Sequence, residues 1–197
     1  PDARAGAGRV TTATEHAGIG DATFDATGRY RYHLWRAWPM LGGQGDVAFI
    51  MLNPSTASAS ENDPTIRRCI RFAQAWGFAK LHVGNLFAFR ATDPRALLTA
   101  GDPVGPDNDR ALLEIASRCG VVVAAWGIPA RTLFRRSSEV LGTIGAVRRW
   151  SALGLTKNGC PRHPLYVPAA TKPGWLRYGA SGFRIEPWEP KKGAMMP

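Results

Sequence analysis

Hydrophobic residues follow two rhythms along the chain. Between Arg29 and Trp38 they alternate, with Tyr30, Tyr32 and Leu34 on one set of positions and Arg31, His33 and Trp35 on the other. A period of two predicts a strand with one wetter face. Thr23-Phe24-Asp25 precedes it across a short Ala-Thr-Gly turn, so the two segments predict a β-hairpin, which Pro39 and Gly42-Gly43 end. From Val47 to Leu52 the alternation gives way to VAFIML, the unbroken apolar run of a strand covered on both faces. Further strands are expected at 80–85 (KLHVGN), at 121–126 (VVVAAW) and near 146–153.

Between these runs the spacing becomes helical. Ile66, Cys69, Ile70 and Ala73 share one side of a helix from Thr65 to about Trp76, with Asp63 as its cap, Pro64 in its first turn and Gly77 at its end. Asp93-Pro94 opens a short helix over 95–99, and longer ones are expected over 107–118 and about 129–141. Strands alternating with helices predict an α/β fold, a three-layer sandwich with a mostly parallel central sheet plus the N-terminal hairpin. Residues 1–20 read as a flexible N-terminal segment, 21–178 as a single domain and 179–197 as an irregular C-terminal tail.

The 197 residues suit one core. No apolar run approaches the roughly 18–20 residues of a membrane helix, and the small, polar N-terminal stretch lacks the apolar centre of a secretory signal. The expectation is a cytoplasmic monomer with no membrane contact. Three cysteines, odd in number and far apart, argue against a disulfide framework and are too few for a four-thiolate cluster. Cys160-Pro-Arg-His163 has metal-like spacing but no second pair, so neither metal nor cofactor is expected. Nucleophile elbow, Walker loop and dinucleotide fingerprint are all missing from the chain.

Charge sharpens the picture. Residues 1–109 balance 11 basic against 11 acidic side chains, whereas 110–197 hold 14 against 4, the whole of the net +10. A one-sided basic surface suits a polyanion, here nucleic acid (DNA ahead of RNA) or a nucleotide.

In parallel sheets, sites form where the carboxyl ends of strands meet their loops. Asn53-Pro54-Ser55-Thr56, Asn85 to Arg90 and Trp126-Gly127 stand at such ends, and the His163-Pro164 loop follows the last strand. Proline stiffens the Asn53 turn, so its amide is placed to orient water, although Asn, Ser and Thr also simply cap turns. Asn85 offers a donor and an acceptor on one flat amide, as a base edge requires, and equally reads as a turn former. Phe87 and Phe89 are candidates for a stacking face or for the core. Arg90 binds a phosphate or pairs with Asp93. His163 lies in a polar, proline-braced loop near Lys157 and Arg162, whereas His16, His33 and His82 read as surface or sheet residues.

Together the segments RYRYHLWRAW, IMLNPSTAS, NDPTIRRCIRFAQAWG, NLFAFRATDP, DPVGPDND, AAWG and LGLTKNGCPRHPLYVP resemble domain of unknown function family 1643, over about residues 24–175. A more distant resemblance is to the uracil-DNA glycosylase superfamily. It rests, in order, on Leu52-Asn53-Pro54-Ser55, on Val83-Gly84-Asn85-Leu86, on Ala125-Trp126-Gly127 and on His163-Pro164-Leu165-Tyr166. The chain departs from that superfamily in having Leu165 where serine follows His-Pro, and Met51-Leu52 where glycine precedes the first motif.

That resemblance implies hydrolysis of an N-glycosidic bond in nucleic acid. Asn53, His163 and Asp63 would be catalytic: His163 hydrogen-bonds the departing base while Asn53, with Asp63, orients water. Asn85, Phe87, Ser55 and Thr56 would bind the base, and Arg90, Lys157, Arg162 and Lys172 the phosphates. Two alternatives stay open: a non-catalytic nucleic-acid or nucleotide binding module, and a hydrolase or transferase on a free nucleotide or nucleoside.

Overall fold

The computed structural model describes residues 19–43, 45–179 and 182–187. Eight strands make one sheet: β1 (Ile19–Phe24), β2 (Arg31–Ala37), β3 (Asp46–Met51), β4 (Lys80–Asn85), β5 (Val121–Ala124), β6 (Trp150–Ala152), β7 (Gly174–Gly179) and β8 (Gly182–Pro187). Three helices join the middle strands: α1 (Pro64–Ala75), α2 (Asn108–Arg118) and α3 (Phe134–Gly145). Spatial order is β1-β2-β4-β3-β5-β6-β7-β8.

The central strand β3 explains the layering. Its Val47, Phe49 and Met51 face one core, filled from α1 by Ile66, Cys69 and Phe72. Its Ala48 and Ile50 face a second core, filled by Leu112 and Ile115 of α2 and by Val140 and Ile144 of α3. Side chains of a strand alternate between faces, so an apolar run needs cover on both. Helices therefore lie on both sides of the sheet, and each buried Phe or Ile contributes about 1.5–3 kcal/mol.

The sheet is mixed, not mostly parallel as expected. β4, β3, β5 and β6 run parallel. The other four of the seven ladders, β1 with β2, β2 with β4, β6 with β7 and β7 with β8, are antiparallel. The N-terminal hairpin expected from alternation is present, but it docks on β4 antiparallel. A second hairpin, β7–β8, does the same beyond β6.

That second hairpin also corrects the irregular tail expected from residue 179. Phe183 and Ile185 pack against the α2-face core while Arg184 and Glu186 lie on the other positions, which makes 182–187 a strand. At the other end, β1 begins at Ile19, inside the segment expected to be flexible; residues 1–18, 180–181 and 188–197 lie outside the described residues. Helix α3 runs on to Gly145, past the expected end near Leu141, and the strand expected near 146–153 narrows to Trp150–Ala152. Among the described residues no helix is long and apolar enough to cross a membrane.

Topology marks one place for a site. The loop after β3 turns to the α1 face, whereas those after its neighbours β4 and β5 lead to helices on the other face. The carboxyl end of β3 is thus a topological switch point, where a crevice opens between diverging loops.

Candidate functional site

Asn53 stands two residues beyond β3, at this switch point. Its Nδ2 donates to the carbonyls of Pro54 (3.0 Å) and Ala91 (2.7 Å), and the Ala91 N–H donates back to Pro54 at 2.9 Å. The amide therefore ties the β3 loop to the β4 loop. Both of its donors are used, which leaves Oδ1 as the group able to orient water.

Those tied loops help form a cleft of about 460 Å³, lined by Ser55, Thr56, Phe89, Arg90 and Thr92 together with Arg29 from the β1–β2 turn. Arg90 is held at three points. Its Nη1 donates to Gly28 O at 2.9 Å, its guanidinium lies 4.9 Å from the Phe24 ring centroid, and its backbone N–H donates to Arg29 O. Its Nε is buried without a partner. The structure thus brings together Ser55, Thr56 and Arg90, and adds Arg29 and Thr92, which sequence reading passed over.

Asp63 and His163 both lie on the α1 face, near enough for the carboxylate charge to be felt by the imidazole. Asp63 caps α1, its Oδ1 accepting the Ile66 N–H at 2.8 Å. His163 opens a short 3-10 turn over Pro164–Tyr166, and its Nδ1 accepts the Leu165 N–H at 3.4 Å. That contact leaves the ring proton on Nε2. Burial pushes His163 below the ordinary imidazole value and the nearby Asp63 carboxylate pulls it back up. At neutral pH the ring is therefore a neutral Nε2–H donor. Gly127 packs against it: its φ of +74° is the left-handed conformation that favours glycine, while a Cβ there would meet the His163 Cβ only at ordinary contact distance, 3.4 Å.

Asn85 closes β4 on the same face as Leu81 and Val83, which belong to the α1-side core. It is 1% exposed, and its Nδ2 finds no partner. The backbone around it is pinned. Asn108 Nδ2 donates to Asn85 O and Leu86 O, and buried Arg136 donates its Nε to Leu86 O at 2.9 Å. One position earlier, a Cβ on Gly84 would come within 2.6 Å of Leu112, so only glycine lets α2 pack this close.

A buried arginine completes the face. Arg31 is 2% exposed and donates Nη1 to Ala57 O at 2.8 Å, while its Nε lacks a partner. Burial lowers it to about 10 against the counter-pull of Asp63. The Asp63 carboxylate thus serves a helix cap, a guanidinium and an imidazole together. An arginine set between tyrosines inside a strand is the signal that sequence reading passed over.

The remaining expected residues scatter. Phe87 is 2% exposed in the α2-side core and offers no stacking face; half-buried Phe89 is the one that lines the cleft. Lys157 and Arg162 are exposed on the loop after β6. Lys172 borders a different cavity, of about 480 Å³, beside Leu153, Gly154 and Ile185. Among the described residues no group of three His, Cys, Asp or Glu side chains is placed to hold a metal ion. A family model described as a protein of unknown function (DUF1643) matches residues 31–165. No curated protein matches the chain, and no solved structure does.

Proposed function

The chain belongs to the DUF1643 family, and we propose that it reads a nucleobase in nucleic acid and hydrolyses its N-glycosidic bond, with its parallel strands arranged as in uracil-DNA glycosylases. The observation that carries this reading is His163, whose Nδ1 accepts the Leu165 N–H and so leaves Nε2 as the donor, on the same face as Asp63 and the unpaired amide of Asn85.

In such a reaction the bond from the sugar C1′ to the base nitrogen breaks and its electron pair leaves with the base. His163 Nε2–H donates to the departing base and stabilises its negative charge. Asn85 Nδ2 gives a base carbonyl the hydrogen bond that the protein leaves unmade. The Asp63 carboxylate favours the positive charge on the sugar. Asn53 Oδ1 accepts a hydrogen from the water whose oxygen attacks C1′, and the proton released ends on the base or in solvent. Lys157 and Arg162, exposed on the loop after β6, hold backbone phosphates.

A non-catalytic binding module is the second reading, and two features favour it. Asp63 is engaged in its helix cap, and Leu165, 43% exposed, follows His163-Pro164 where the glycosylase pattern has serine.

The test is alkali-induced strand scission after incubation with oligonucleotides carrying uracil, hypoxanthine, or alkylated or oxidised bases. Scission at one of these bases is expected. No scission on any, with base-dependent binding retained, overturns hydrolysis of these bases and leaves the binding module. Affinity that is flat against salt overturns the nucleic-acid reading altogether.

A further inference from the structure

We propose that the cleft between Arg29 and Arg90 is a preformed phosphate subsite, which makes the protein's ligand a phosphate-bearing nucleotide unit and not a bare nucleoside. The inference deepens the proposed function and rests on it for the base, though not for the phosphate.

Charge is the first argument. Two guanidinium groups and the hydroxyls of Ser55, Thr56 and Thr92 line the cleft, and no carboxylate does. Several arginines of the described residues are neutralised, Arg95 by Asp93, Arg110 by Asp107 and Glu114, Arg135 by Glu139, and Arg136 by Asp109, while others, among them Arg67, Arg71 and Arg131, stand without an ion pair like the two in the cleft. Arg29 and Arg90 form no ion pair among those residues. Buried Arg31 adds a third positive charge near enough to Arg90 to be felt by it. Like charges gathered without counter-ions destabilise a fold, and an anion between them relieves the repulsion.

Preorganisation is the second. Arg90 is fixed by Gly28 O and the Phe24 ring, yet its Nε remains buried and unmatched. The Arg29 guanidinium stands 5.8 Å from the Phe89 ring centroid. Asn53 and Ala91 tie the two loops that carry the hydroxyls. A guanidinium held in place in this way is preorganised for an anion, with no rotamer freedom left to lose when one binds.

Position is the third. The cleft opens at the carboxyl end of β3 and β4, with Asn85 at the last residue of β4 and in register with Met51. Its cations come from the charge-balanced first half of the chain. Phosphate capture next to the base is thus separate from the diffuse basic surface of residues 110–197.

The experiment measures binding of a short single-stranded DNA oligonucleotide by fluorescence anisotropy across a salt series, and of deoxynucleoside monophosphates and matching nucleosides by calorimetry. Arg29→Gln and Thr56→Val, both at exposed positions, are compared with the parent and with Arg135→Gln as control. Each cleft variant is expected to weaken monophosphate binding about tenfold, with thermal unfolding unchanged. Arg29→Gln should also lower the oligonucleotide salt slope by roughly 0.7. Arg135→Gln should change neither. Monophosphates that bind while oligonucleotides do not assign the phosphate to a free nucleotide, and the reverse assigns it to a nucleic-acid backbone.

Unchanged affinity and slope in both cleft variants overturns the subsite, as do nucleosides that bind as tightly as their monophosphates. Failure of the proposed function looks different: phosphate binding that depends on Arg29 but ignores the identity of the base keeps the subsite and removes base reading.

Discussion

The two ends of the parallel strands hold buried polar side chains in opposite states. At the amino end, Asp46 Oδ2 accepts from His82 Nε2 at 2.9 Å, and His82 Nδ1 pairs with His33 Nε2 at 2.9 Å. Each contact fixes the next proton: with Nε2 protonated, His82 has only Nδ1 left as an acceptor, so His33 donates to it. The rings lie 5° from parallel, and the chain of bonds staples β3, β4 and β2 together. At the carboxyl end, Asn85 Nδ2, Arg31 Nε and Arg90 Nε are buried and unmatched, whereas at the amino end the Trp38 indole N–H beside Ala79 is the exception to the pairing. Buried polar groups are normally paired, so a closed chain reads as architecture and a cluster of open donors as a place prepared for a ligand. A histidine by itself carries neither meaning; its partners decide.

The strongest way to break this contrast is at His163. His163→Ala is expected to slow base release in single-turnover scission assays by about 10²–10⁴-fold, the range of positioned acid–base groups, while leaving the urea midpoint close to the parent's. A loss below tenfold removes His163 from the chemistry.

His82→Ala should do the converse. Deleting a 1%-exposed ring strips Asp46 and His33 of their shared partner. The expected cost is about 2–4 kcal/mol in urea unfolding, with oligonucleotide affinity retained. A stable variant that loses affinity would place the amino end in the site.

Next comes pH. Burial, followed by its neighbour His82, pushes His33 down to about 4, and burial also lowers His82 despite Asp46. The unfolded chain takes up these protons first, near the ordinary value of about 6.5. Stability is therefore complete above that pH and falls as pH drops toward about 4, by at most about 1.4 kcal/mol per unit for each histidine. Urea melts of the parent and of His33→Gln across this window should differ in slope, and equal slopes refute the assignment.

The smallest effect on stability is expected from Asn85→Leu. It removes an unsatisfied donor together with its amide, so unfolding should shift by no more than about 1 kcal/mol. Base discrimination should nonetheless disappear. A large destabilisation would show that the amide serves the fold.

Particular residues show where sequence reading reached and where it stopped. The Asp63-Pro64 start of α1 and the span of β4 were legible, because caps and apolar runs act over a few neighbouring residues. Phe87 and Phe89 were not separable in advance, since only the turn after β4 buries one fully in the α2-side core and leaves the other half-buried at its edge, where it lines the cleft. Lys172 was grouped with Lys157 and Arg162 on charge, yet it borders the cavity beside β6 and β7.

The sequence alone determined the elements of the middle of the chain, the helix cap and the positions of Asn53, Asn85 and His163 at strand ends or loops, because periodicity and turn chemistry are local. Only the tertiary structure decided that hairpins flank the parallel strands antiparallel, that Arg29 and Arg90 line one cleft, that the charge of Asp63 is felt by both Arg31 and His163, and that His33 closes on His82. These are meetings of residues far apart in the chain, set by which sheet face and edge each element buries, and no local pattern encodes them.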